Sequence, residues 1–449
     1  MEYSKDKTPE ADDLEALVES GDEGAIRRFL TLLHPADLAI LFDTLDRDYW
    51  PRVVQFLDTA EISDLMEELH DHLRDDLAEL LKPDQLVDVF EEMASDDAAD
   101  VIADLPDDMA KAVLEGIPDE DRQDVEALLK YEEDTAGGLM QVELVAVPET
   151  ATVERAVEIA RSVSEDVEEF HQVYVIDEGG KLTGTLGLDR LILAKPETLV
   201  GDLADRDLYV VHPDDDQEEV ARMVKRYDLV SVAVVNAEGA LLGRILHDDI
   251  VDVLEEEAAE DMLRMAGAEE PELVYTNRVF KIASVRLPWL LATVGGGLVS
   301  GVLLWQFKVT FPTLLTLLTF VPVIAAMGGN IGSQSSTIVI RGFATGHIDY
   351  NNLGRYLTRE LAIGSMMGVV LGAVLGATAQ LWHGDPKLAF VVGLSMTLAI
   401  TASALTGVLV PFFFRVIKVD PAIAAGPLVT TANDVMCLAI YYGMALMIL

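Results

Sequence analysis

The stretch PAIAAGPLVTTANDVMCLAIYYGMALMIL, residues 421–449, decides how the chain is read. It is long enough to cross a hydrocarbon layer, which takes roughly 20 apolar residues in a helix. It holds a single acid, Asp434. A carboxylate at membrane depth is costly unless it is paired, hydrated or binding a cation, so it marks a functional site. The alternative is a protonated or locally paired acid that only packs.

Working outward, four more apolar stretches precede it, at about 287–307, 311–340, 361–382 and 388–414. The chain nevertheless carries a formal charge of −47 over its 449 residues, with a mean hydropathy of +0.26. The two properties belong to different halves. Beyond Asn277 there are five acids and ten bases. The first 276 residues therefore hold 74 acids against 22 bases, a net of −52, and the remainder carries +5. So acidic a half lacks the basic footprint of a nucleic-acid binder and concentrates cations instead. A solvated acidic surface is the alternative. Cys437 is the only cysteine, which excludes an intrachain disulfide or a paired-cysteine metal site. The N-terminus MEYSKDKTPEADDLEALVES has no apolar run that would read as a signal sequence.

Basic residues orient the apolar half. Arg278, Lys281 and Arg286 precede the first span, Arg341, Arg355 and Arg359 lie between the second and third, and Arg415 and Lys418 lie between the fourth and fifth. The opposite loops hold only Lys308 and Lys387. The positive-inside rule puts the N-terminal half in the cytoplasm and the C-terminus outside. The expectation is a multi-pass protein of the cell (inner) membrane.

The second span reads FPTLLTLLTFVPVIAAMGGNIGSQSSTIVIRG. Pro312 and Pro322 are expected to interrupt it, and seven of the eight residues 328–335 are glycine or polar. Irregular backbone survives at membrane depth only where it faces protein or water. A small-residue packing face is the alternative. Asn330 lies eleven residues before Arg341 and Asp434 fourteen after Asp420, so helical rise puts them about 17 and 21 Å from the cytoplasmic side. A carboxylate and a glycine-rich break at one depth make a cation site. Oxygen ligands without a His or Cys cluster favour hard cations. Mg2+ suits one or two carboxylates because it keeps most of its waters. These residues alone do not separate Mg2+ from Mn2+, Co2+ or Ca2+.

The acidic half divides in two. Residues 1–130 read as all-helical, with short amphipathic units at 34–45, 61–69, 82–93, 95–105 and 106–117. Such repetition predicts a superhelical stack in which each unit buries its face on the next. Asp96 and Asp100 share a helix face, with Asp97 beside them. Residues 131–250 switch to β-branched runs. VYVIDEGGKLTGTLGLDRLI (173–192) matches VAVVNAEGALLGRILHDDIV (232–251), aligning Gly184 with Gly243 and Asp189 with Asp248. This duplication resembles a tandem pair of CBS domains, 131–201 and 202–250. Such pairs often bind adenine nucleotides. Gly187 and His247 stand where those sites commonly carry a hydroxyl, so ATP remains an open alternative as a partner. Residues 251–275 form an acidic connecting helix, and 276–449 a five-helix transmembrane domain.

Three function classes compete: a channel, an ion-coupled secondary transporter of divalent cations (Mg2+, Mn2+, Co2+), and a membrane-anchored sensor. Broken helices at mid-membrane also occur in secondary transporters, but no inverted repeat is visible here. No nucleophile–base arrangement or phosphate loop is visible, so an enzyme is not expected.

Taken in order, the helical N domain, YEEDTAGGLM (131–140), the CBS pair, the acidic helix, PVIAAMGGNIGSQSSTIVIRGFATG (322–346) and DPAIAAGPLVTTANDV (420–435) make the whole chain resemble the MgtE family of magnesium channels and transporters. The resemblance implies a homodimer in the bilayer, with a pore along its axis between the second and fifth spans. Asp434 would hold hydrated Mg2+, with Gly328, Gly329, Asn330, Gly332, Thr430 and Asn433 lining the pore. It implies that Mg2+ is both substrate and cytosolic regulator, bound by Asp96 and Asp100, by Asp216, Glu218, Asp228 and Asp249, by Asp252, Glu257, Glu260 and Asp261, and by Asp420 at the mouth. Gly426 departs from the pattern, since similar proteins can carry Asn there.

Overall fold

A computed structural model of the chain describes residues 11–164, 167, 170–266, 279–310, 315–345, 347–348, 353–417, 419–422 and 426–449. It separates into two compact units, Met1–Leu254 and Glu255–Leu449.

The first unit opens with ten short helices: α1 (Ala11–Ser20), α2 (Glu23–Leu30), α3 (Pro35–Thr44), α4 (Trp50–Val54), α5 (Thr59–Glu68), α6 (Asp71–Ala78), α7 (Pro83–Phe90), α8 (Ser95–Asp104), α9 (Asp107–Gly116) and α10 (Asp119–Leu128). Their starts follow from local chemistry. Pro35 and Pro83 occupy first-turn positions that need no amide donor. At α5 the Asp58 carboxylate accepts from the Glu61 amide, and Glu61 reaches back to the Asp58 amide. Packing runs between alternate helices, α3 on α5, α5 on α7 and α7 on α9, as expected of a superhelical stack.

Two three-stranded sheets follow. The first comprises β1 (Ala146–Pro148), β2 (Gln172–Ile176) and β3 (Leu182–Gly187), with helices α11 (Val153–Ser162), α12 (Leu188–Leu193) and α13 (Val200–Leu203). The second comprises β4 (Val210–Val211), β5 (Ser231–Val235) and β6 (Leu241–Leu246), with α14 (Gln217–Tyr227). In each, the first strand pairs parallel and the last antiparallel to the middle one. Both hairpins shift register at the equivalent place, Val175/Ile176 and Val234/Val235. The aligned glycines face equivalent partners, Gly184 opposite Val175 and Gly243 opposite Val234. One apolar core runs from the helical stack into the second sheet, through Ala136, Met140, Val211, Val220 and Ile245, while the first sheet has its own core. Helix α15 (His247–Ala266) begins directly after β6, four residues before the expected start. The rest of the expected helix, 267–275, lies outside the described residues.

Among the described residues the second unit holds five helices long and apolar enough to cross a membrane: α16 (Val279–Thr310), α17 (Val321–Ala344), α18 (Leu353–His383), α19 (Pro386–Val416) and α20 (Pro427–Ile448). Glycines at four-residue spacing, Gly364, Gly368 and Gly372, let α18 lie directly on α19. The Thr397 hydroxyl donates to the Gly368 carbonyl across that contact at 3.0 Å. Small residues allow backbones to approach this closely where lipid supplies no hydrophobic drive. Helix α17 packs on both α19 and α20, which also pack on each other.

The expected break in the second span is corrected here. Residues 328–335 lie inside continuous helix. Pro322 sits in its first turn, where proline starts a helix rather than interrupting it. Pro312 lies outside the described residues. The depth count for Asp434 is also revised. Helix α20 begins only at Pro427, so Asp434 lies seven residues, about 10 Å, along it.

Candidate functional site

In the second unit the glycines of α17 are required by close approach. A Cβ on Gly328 would collide with Cys437 Sγ, one on Gly332 with the Asn433 amide. One on Gly329 would stand 3.2 Å from Thr430 Cγ2 and 3.5 Å from Asp434 Oδ1. Asp434 and the glycine run are therefore level with each other, whatever the residue count from the membrane edge. Ser333 and Thr430 join hydroxyls at 3.1 Å across the same seam.

The six residues expected to line a pore fall into two sets. Gly328, Gly332 and Asn433 are buried between helices of this chain, and among the described residues the Asn433 side-chain amide has no hydrogen-bond partner. Asn330 is exposed, Thr430 and Asp434 are half-buried, and Gly329 is buried beside them. Gln334 and Thr337 continue the exposed side of α17 at helical spacing from Asn330. A polar stripe on a membrane helix must meet water, an ion or another protein surface, because lipid satisfies none of its hydrogen bonds. Gly426 immediately precedes Pro427 and contributes no side chain at the start of α20.

Upstream of that same start, Asp420 accepts from the Ala422 amide at 2.8 Å and pairs with Arg264 of α15. Arg264 also pairs with Glu260, one turn earlier. Met265 packs on Ile340 and Ala422. Burial pushes the Glu260 carboxyl up to about 7, with Arg264 opposing and Glu257, Asp420 and Asp261 adding repulsion. Burial likewise raises Asp261 to about 6, reinforced by Asp420 and Glu257. Four expected acids, Glu257, Glu260, Asp261 and Asp420, thus share one electrostatic neighbourhood. Arg264, missed in the sequence, sits among them. Its signal was the Glu260–Arg264 spacing of four residues.

In the first unit the start of α8 meets the start of α15. Asp96 is 7% exposed. Its Oδ2 accepts a long hydrogen bond from the Gln141 amide, 3.5 Å, and Oδ1 has no hydrogen-bond partner among the described residues. Burial holds Asp96 well above the usual carboxylate range, reinforced by Asp97, Asp249 and Glu143. Asp97 is raised to about 6 by burial, against Arg74 and with Asp248 and Asp252 adding to it. Asp249 is raised to about 7 by burial, against the Leu246 amide it accepts from and with Asp248, Asp97 and Asp252 adding to it. Ser95 donates to Glu143 at 2.8 Å and accepts from the Val142 amide. A cavity of about 500 Å³ lined by His171, His247, Asp248 and Asp252 opens beside the cluster.

The structure thus joins Asp96 and its neighbour Asp97 to Asp249 and Asp252 and adds Asp248 and Glu143, which sequence spacing did not rank. Asp100 is half-buried one turn along α8. The remaining three acids have local roles. Asp216 caps α14 by accepting from the Glu218 amide at 2.9 Å, Glu218 pairs with Arg222 at 3.1 Å, and Asp228 ends α14 in the left-handed conformation, φ 51°. Among the described residues no three acidic, His or Cys side chains converge tightly enough to hold a bare ion. An unpartnered buried carboxylate oxygen among mutually repelling acids fits a hydrated hard cation, which neutralises them through its water shell.

Comparison with known proteins agrees with this layout. Residues 321–444 match the MgtE family model, described as a divalent cation transporter. Residues 33–134 match the MgtE intracellular N domain, and 136–197 and 200–256 the CBS domain. The magnesium transporter MgtE of Thermus thermophilus is 36% identical over 97% of this chain and 98% of its own length. That of Bacillus subtilis is 32% identical over 94% of each. Among solved structures, the cytosolic domain of the Mg2+ channel MgtE in complex with ATP covers 54% of this chain and 99% of its own, at 36% identity and a TM-score of 0.52. The soluble part of a magnesium transporter covers 55% and 98%, at 27% identity and a TM-score of 0.50.

Proposed function

We propose, because this chain belongs to the MgtE family, that it carries Mg2+ into the cytoplasm through a channel that cytosolic Mg2+ closes. The observation that supports this best is the Asp434 carboxylate beside Gly329 and Thr430, next to the exposed stripe of Asn330, Gln334 and Thr337. A lone carboxylate there binds a divalent ion with most of its water retained. A second copy of the chain would bring a second Asp434 to a shared axis and cover the stripe. The N-terminal half and CBS pair lie in the cytoplasm and the C-terminus lies outside.

Closure follows from electrostatics. Without Mg2+ the acids of α8 and α15 repel one another across a poorly solvated gap, and so do Glu257, Glu260, Asp261 and Asp420. Cations that bridge them favour the packed arrangement. Asp216, Glu218 and Asp228 would join only by giving up or sharing their local roles.

The test is Mg2+ influx into proteoliposomes carrying an Mg2+ indicator. Asp434→Ala should abolish influx and leave Mg2+-dependent protease protection of the cytosolic half intact. Undiminished influx would sink the assignment.

A further inference from the structure

We propose that Arg244 is a built-in cation that competes with Mg2+ for the Asp96–Asp249 carboxylates and so sets the Mg2+ concentration at which the cytosolic half locks. The inference rests on the reading above that these acids sense Mg2+.

Arg244 lies in β6 and is 3% exposed, between the buried Gly243 and Ile245. A guanidinium at such a position carries a large desolvation penalty unless carboxylates face it. The fold itself does not ask for it. In the first repeat the equivalent position, opposite Tyr174 as Arg244 is opposite Ala233, is Thr185. The same sheet is thus built with a small uncharged residue there. What the second repeat has and the first lacks is the acid cluster. The Arg244 guanidinium lies within electrostatic reach of Asp96, Glu143 and Asp249.

The backbone holds it there. Gln141 and Arg244 exchange two hydrogen bonds, each 2.9 Å, as an isolated antiparallel bridge. The Gln141 side chain, itself 7% exposed, turns to Asp96 Oδ2. The strand carrying the cation is therefore tied to the residue that contacts the most buried acid. The Tyr174 hydroxyl, paired to Ser231 at 2.7 Å, lies within reach of the same guanidinium, together with the carboxylates.

A fixed positive charge beside an ion site lowers its affinity for every cation by Coulomb repulsion and by occupying part of the carboxylate field. It also keeps the cluster partly neutral when Mg2+ is scarce, so the packed state survives depletion at some population. Arg244 thereby trades affinity for a higher threshold.

The test is chymotrypsin protection of the full chain in detergent, titrated from EDTA into Mg2+. Arg244→Thr, the residue of the first repeat, should lower the half-protecting Mg2+ concentration by about tenfold. Arg244→Lys, which keeps the charge, should stay within about threefold of the parent. A Thr variant protected at the parent's concentration or above it overturns the proposal. So does a Lys variant that shifts as far as the Thr variant. A Thr variant that no Mg2+ concentration protects assigns Arg244 to the fold and also overturns it. If the parent chain shows no Mg2+-dependent protection, the sensing reading fails instead, and the two failures are distinct.

Discussion

Replacing Asp249 by Asn tests whether the acids between α8 and α15 oppose each other in the folded chain. Asn keeps the cap on the Leu246 amide and removes the charge. Asp249 is held at about 7, chiefly by burial, against about 3.9 for an unfolded aspartate. Three units at 1.36 kcal/mol each bound the penalty at about 4 kcal/mol at pH 8. Asp97 and Asp248 share the repulsion, so relaxation reduces the measurable gain to about 2 kcal/mol. The sign follows from linkage. The folded state binds the proton more tightly, so the penalty is absent below about pH 4 and complete above about pH 7. The assay is urea unfolding in EDTA of residues 1–266, whose counterpart in a relative was crystallised as a separate cytosolic domain, bound to ATP. The parent should gain stability as pH falls from 8 to 5.5. Asp249→Asn should be the more stable protein at pH 8, with a flatter pH dependence. Saturating Mg2+ should stabilise the parent more than the variant and close the difference. A variant less stable than the parent in EDTA at pH 8, or a parent whose stability ignores pH, would refute the reasoning.

Three further outcomes follow from the geometry. Gly332→Ala should destabilise the membrane unit by roughly 1–3 kcal/mol, because its Cβ would overlap the Asn433 amide inside continuous helix; monodispersity after heating in detergent reads this. Glu257→Gln with Glu260→Gln should leave the channel conducting at millimolar-range Mg2+ that closes the parent, measured as single-channel currents, and normal closure would remove these acids from the gate. Ser231→Ala should cost about 1 kcal/mol by leaving the buried Tyr174 hydroxyl with a weaker partner, seen in the same urea assay without a change in Mg2+ response.

Much of the layout was legible because it repeats or because it is apolar. Five spans stand out by hydropathy alone. The CBS duplication shows in aligned glycines, and the structure places both register shifts at matching residues. What sequence could not give was pairing between distant elements. The run 328–335 looked like a break because glycine and serine weaken an isolated helix. In place, α20 and α19 crowd that side of α17, and only small residues fit. The same limit applies to the acids. Helical spacing associates Asp96 with Asp100, whereas the structure sets Asp96 against Asp249, and Asp97 against Asp248 and Asp252. Arg264 and Asp420 are 156 residues apart, beyond any local pattern.

On the proposed reading one ion is both cargo and signal, and the placement of the acids bears on how that would work. Moving a two-state gate from 1:99 to 99:1 takes roughly 5.5 kcal/mol of differential binding. Asp249 and Asp97, held at about 7 and about 6, stand under penalties of about 2 kcal/mol or more each when ionised. Neutralising those two and Asp96 therefore comes close to the whole requirement. Glu260 and Asp261 add less, because they are less deeply buried and solvent screens them. Affinity at each site can then stay weak, and several weak sites acting together make closure steep. Weak sites also release Mg2+ promptly when the cytoplasm is depleted. In the proposed pore Asp434 would meet a parallel demand from the other direction. A lone carboxylate beside a polar stripe attracts a hydrated ion without stripping its shell, and an ion that keeps its water leaves as readily as it enters.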